Sequence, residues 1–87
     1  MNLQETLDTW RVNAAKIVAE NEHISYVNYV MFNIDYEILN QFAKDNNLPF
    51  QKYTNNRFYT TQIETGLCYS FYTKPVQIKH TYEVINL

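Results

Sequence analysis

The chain predicts an α+β fold in the order helix, strand, helix, antiparallel β-meander, with both helices packed on one face of the sheet. Three observations predict it. Leu3, Leu7, Trp10, Ala14, Ile17 and Asn21 recur at spacings of four and three, which draws one stripe along a helix. Ile24–Phe32 is a β-branched and aromatic run. Residues 50–85 are apolar-rich runs broken at short corners, Asn55-Asn56, Thr65-Gly66 and Lys74-Pro75.

The first helix is expected over residues 3–22, with Asn2 and Glu5 as a capping pair and Trp10 as the side chain that docks it. Both faces of Ile24–Phe32 are apolar, so the strand is expected inside the sheet and not at its edge. Asp35 is placed to cap a second helix over Tyr36–Asn46, with Ile38, Leu39, Phe42 and Ala43 on its buried side. Asn47 suits a left-handed C-cap position, Leu48 can close the apolar contact behind it, and Pro49 prevents continuation.

In the meander, two-residue loops set the register. Primed turns need positive φ, which Gly adopts freely and Asn more readily than most residues. Such loops pair Tyr53 with Phe58, Ile63 with Cys68 and, across Lys74-Pro75, Phe71 with Ile78. Paired residues share a face. Tyr53, Phe58, Leu67, Tyr69, Phe71, Ile78, His80 and Val84 then point to the core. Phe50, Lys52, Arg57, Tyr59, Ile63, Cys68, Tyr72 and Lys79 point the other way. A slip of one residue in any turn inverts part of this division.

Eighty-seven residues make one domain, 1–87, too small for a second core. A chain this short buries only about 60–65% of its unfolded surface, which leaves homodimer formation open. The formal net charge is −2, split between a helical half (residues 1–45, net −4) and a sheet half (residues 46–87, net +2). One cysteine excludes an internal disulfide framework and fits a reducing, cytoplasmic setting. No apolar run approaches the ~20 residues of a membrane span, so no membrane partner is expected. Scarce Gly, Ala, Arg and Pro beside plentiful Asn, Tyr, Ile, Phe and Lys is the usage of an AT-rich genome, so some of the Asn and Tyr content is not functional signal.

Chemistry is thinly supplied. Cys68 is the one thiol nucleophile, with His80 and His23 as bases, and the derived register sets Cys68 and His80 on opposite sides of the sheet. The scattered His, Cys and carboxylates show no metal-ligand spacing, and a lone Gly66 cannot build a phosphate-cradling loop. No enzyme, cofactor or metal is expected. The candidate binding residues are Lys52, Arg57, Tyr59, Tyr72 and Lys79, an aromatic and basic sheet face. Tyr and Arg are favoured protein-interface anchors, and rings flanked by cations also suit unpaired bases. Phe42 to Tyr53 loosely resembles the start of a helix-turn-helix, with Ala43 at the tight contact and Asn47 in place of the turn glycine. That resemblance implies a winged DNA-binding domain with residues 57–73 as the wing.

The expected function is non-catalytic binding to a host protein, through this sheet face or through the acidic outer side of the first helix (Glu5, Asp8, Glu20). Nucleic-acid binding is the alternative. The small AT-biased chain without a catalytic constellation has the look of a phage or mobile-element accessory protein, specifically an inhibitor of a host defence enzyme; this step is compositional.

Overall fold

The computed structural model describes residues 2–77. The elements are α1 (Leu3–Glu20), β1 (Val27–Ile34), α2 (Tyr36–Asp45), β2 (Gln51–Tyr53), a short 3-10 turn (Thr54–Asn56), β3 (Arg57–Glu64) and β4 (Leu67–Thr73). The four strands form one mixed sheet in the order β1-β4-β3-β2. β3 runs antiparallel to both of its neighbours, β2 and β4, and β1 runs parallel to β4. Both helices pack on the same face of it, as the sequence predicts.

α1 begins where Asn2 caps it: the Asn2 side-chain oxygen accepts from the Glu5 amide at 2.8 Å, satisfying one of the orphan donors of the first turn. Its stripe buries Leu3, Leu7 and Ala14, and the Trp10 ring stacks on Tyr29 of β1 and Phe71 of β4, each at 5.0 Å between centroids. Trp10 therefore straddles the β1–β4 seam. α2 contributes Leu39, Phe42 and Ala43, and its end is a Schellman motif. The Asn47 amide bonds to the Lys44 carbonyl, the Leu48 amide to that of Ala43, and Asn47 sits at φ 54°. Asp35 occupies the N-cap position, but its side chain makes no capping bond; the carboxylate pairs instead with Lys74 Nζ at 2.8 Å.

Two expectations about the sheet are corrected. β1 lies at an edge of the described sheet, and its outer side chains Val30 and Phe32 are exposed; its second apolar face is uncovered rather than buried. The place beside β4 expected for a fourth meander strand is filled by β1, which pairs Val27 with Leu67, Tyr29 with Tyr69 and Met31 with Phe71. That register lays a row of apolar side chains beside another, under Trp10. The segment expected to form the last strand, and Lys79 and His80 with it, lies outside the described residues.

The third correction is one of register. Asn55 and Asn56 do take positive φ, 60° and 58°. The loop, however, has three residues, Thr54 to Asn56, and Tyr53 pairs with Arg57 instead of Phe58. All of β2 is inverted by that single residue. The turn at Thr65-Gly66 matches expectation, with Gly66 at φ 79° and Ile63 opposite Cys68.

Candidate functional site

The helix-free face of the sheet is built by alternation from four strands. β1 supplies Asn28, Val30 and Phe32, β4 supplies Cys68, Ser70 and Tyr72, β3 supplies Arg57, Tyr59, Thr61 and Ile63, and β2 supplies Gln51 and Tyr53. Across it runs a ladder of rings. Phe32 stacks on Tyr72 at 5.0 Å and Tyr72 on Tyr59 at 5.4 Å, with interplanar angles of 20° and 19°. Tyr53 stands edge-on to Tyr59 and Tyr72, at 5.8 and 5.9 Å. Offset stacks and edge contacts are the favoured aromatic geometries and hold the rings in place. The Tyr59 hydroxyl is fixed as well, donating to Gln51 Oε1 at 2.8 Å.

This face is exposed and greasy. Ile63 is 77% accessible, Phe32 59%, Tyr53 52% and Val30 43%. Arg57 is the one charged side chain among its described residues, and its guanidinium donates to the Thr73 carbonyl at 3.3 Å. Phe32, Asn33, Tyr53, Arg57 and Tyr72 line a shallow depression of about 420 Å³.

Of the five residues singled out from sequence, Arg57, Tyr59 and Tyr72 are brought together here. Lys52 is not: it pairs with Phe58 on the side where the Phe58 ring meets Tyr36 of α2. The physical cause is the longer Asn-rich loop, which moves Lys52 and Phe50 to the helix side and Tyr53 to the open face. Lys79 lies outside the described residues. Sequence reasoning missed Tyr53 through that slip. It missed Phe32 because nothing local says that β1 neighbours β4, although alternation in Val27–Phe32 already separates Asn28, Val30 and Phe32 from Val27, Tyr29 and Met31.

Among the described residues other chemistry does not converge. Cys68 faces Ile63 and Asn28 across the sheet, and His23 sits exposed just beyond the end of α1. Among the described residues no group of three or more His, Cys, Asp or Glu could hold a metal ion, and no described helix is long and apolar enough to cross a membrane. The helix-turn-helix resemblance fails on geometry: after α2 the chain runs into strand Gln51–Tyr53, so there is no recognition helix. On the opposite side of the molecule, Arg11 closes a two-pronged contact to Glu64, Nε to Oε2 at 2.9 Å and Nη2 to Oε1 at 2.6 Å. That hydrogen bond, ahead of the charge attraction, holds the Glu64 carboxyl below its ordinary range, and burial pushes the neighbouring Tyr69 phenol up. This ties α1 to the β3–β4 hairpin and is structural.

The chain matches no protein-family model, no curated protein and no solved structure at a significant level.

Proposed function

We propose that this is a non-catalytic binding protein that engages a host protein through the helix-free face of its sheet. One observation carries the reading: Phe32, Tyr72, Tyr59 and Tyr53 form a pre-stacked aromatic surface, rimmed by exposed Val30 and Ile63, on a face holding a single described cation. Rigid aromatic side chains with one Arg at the margin are the composition of protein-interface hot spots. Because the rings already hold one another, little side-chain entropy is lost when a partner covers them.

The same geometry weighs against nucleic acid. Tyr72 has both ring faces occupied, by Phe32 and Tyr59, so the ladder presents edges where unpaired bases need open faces. The one cation among the described residues of the face also provides little of the phosphate neutralisation that drives such binding. That the partner is a defence enzyme inhibited by a phage or mobile-element product rests on composition alone.

The test is capture of the partner by the tagged full chain from its native host, with nuclease treatment of the captured material. The double variant Tyr72→Ala with Arg57→Ala is expected to lower recovery of one stoichiometric protein at least tenfold, while Lys52→Ala leaves it unchanged. Recovery that tracks Lys52 and not Tyr72, or that disappears with nuclease, overturns the reading.

A further inference from the structure

The two edges of the described sheet are treated very differently by the sequence. β2 is three residues long, carries Lys52 and follows Pro49, and short length, lysine and proline are all devices that discourage strand addition. β1 is eight residues long, Val-Asn-Tyr-Val-Met-Phe-Asn-Ile, and has neither a charge nor a proline. Its only irregularity is the bulge at Asn33 (φ 63°), at the far end of the strand.

Which backbone groups β1 offers follows from its pairing. The Val27 amide donates to the Gly66 carbonyl at 3.0 Å, so Val27 is turned toward β4. Alternation turns Tyr29 and Met31 the same way, and leaves the N–H and C=O groups of Asn28, Val30 and Phe32 directed away from β4. These three residues are centred on Val30. An antiparallel copy of the same strand, related by a two-fold axis at Val30, sets Val30 opposite Val30 and Asn28 opposite Phe32 in both directions. All three residues then exchange hydrogen bonds, and both copies keep their helices on the same face, because paired residues share a face.

We infer that the edge of β1 left open among the described residues is a homodimerisation site, at which two copies pair antiparallel through Asn28, Val30 and Phe32 and join their described strands into one continuous sheet. A second copy fits this edge better than an unrelated strand for two reasons on the strand itself. Its hydrogen-bonding positions are self-complementary about one residue, and the absence of charge in β1 leaves nothing to repel an identical partner. On the helix side, half-buried Tyr29 comes opposite half-buried Met31 of the other copy, extending the apolar layer across the seam. Among the described residues after β4, the Lys74 amide bonds to the Ile34 carbonyl at the end of β1, and the Val76 amide then bonds to the Asn56 carbonyl at the β2–β3 corner. The aromatic face proposed for partner binding would run on both sides of the axis, but the dimer stands independently of that proposal.

The experiment uses the full chain and the register itself. In a Cys68→Ser background, Val30→Cys is expected to form a disulfide-linked dimer under mild oxidation. A hydrogen-bonded antiparallel pair sets its Cα atoms about 5.5 Å apart, within disulfide reach. Asn28→Cys alone is expected not to cross-link, since the two copies of residue 28 lie about 14 Å apart in that register. Sedimentation equilibrium should give twice the 10.4 kDa chain mass for the parent protein. Val30→Lys, at an exposed position, should give the monomer mass with an unchanged circular dichroism spectrum. Hydrogen exchange at Asn28, Val30 and Phe32 should be slow in the parent and fast in Val30→Lys. A parent that stays monomeric at about 0.5 mM overturns the inference. So does a dimer that survives Val30→Lys, or protection of these amides in a monomer, which would place another segment of the same chain on the edge.

Discussion

Asn47 holds a backbone torsion that most side chains resist, and it does so where α2 must stop. At φ 54° a β-carbon crowds the following carbonyl, a cost of roughly 1–2 kcal/mol for ordinary residues that Asn partly escapes. Asn47→Val is therefore expected to lower stability by about 1–2 kcal/mol, and Asn47→Gly to leave it equal or slightly raised, as read by urea denaturation. Thr60 makes a different point. It is 1% exposed, opposite Phe71 in the core, and its hydroxyl finds no partner among the described residues. Burying such a group costs about 1–3 kcal/mol, so Thr60→Val should raise the denaturation midpoint by the equivalent of about 1 kcal/mol. A fall in the midpoint would show that the hydroxyl is satisfied.

Between elements, the Arg11–Glu64 contact fastens α1 to the β3–β4 hairpin at a distance of 53 residues in sequence. The folded Glu64 carboxyl titrates below its ordinary value of 4.5, chiefly because Arg11 donates to it. A lowered folded pKa means that the contribution is present above about pH 4.5 and is lost as pH falls through the folded value. Both side chains are partly solvated, so the contact is worth about 0.5–1 kcal/mol. Thermal melts of the parent and Glu64→Gln should differ at pH 7 and converge as the pH is lowered well past 4.5. A gap that persists at low pH would assign the effect to packing instead. Trp10 is the larger fastener, because its ring covers Tyr29 and Phe71 at once and so joins two strands 40 residues apart.

At the scale of the molecule, the division between an acidic helical half and a mildly basic sheet half does not translate into a basic surface among the described residues. Among the described cations, Arg57 lies on the open face, Lys74 pairs with Asp35 and Lys52 faces the helix side. Partner capture should therefore change little between about 50 and 200 mM salt, a step across which binding driven by 6–10 phosphate contacts falls about 10³–10⁵-fold. A steep salt dependence in a binding isotherm would return the nucleic-acid reading to first place.

Much of this was legible because it is local. The stripe from Leu3 to Ala14, the Asn2 cap, the Asn47 and Leu48 stop and the Thr65-Gly66 corner each depend on residues within one turn of one another. The binding face was legible only in part, since Arg57, Tyr59 and Tyr72 share two strands joined by that well-signalled corner, while Lys52 and Tyr53 hung on whether an Asn-rich loop holds two residues or three. Side-chain period two makes that choice all-or-none, and both loops tolerate the same positive torsions.

By itself, then, the sequence determined the α+β order, the start of α1, the start and stop of α2 and the inward row Leu67, Tyr69, Phe71, all set by periodicity and backbone sterics. Only the tertiary structure decided that β1 lies parallel beside β4 and brings Phe32 to Tyr72. Strand neighbours far apart in the chain are chosen by how apolar rows fit under Trp10, and no local signal encodes that fit.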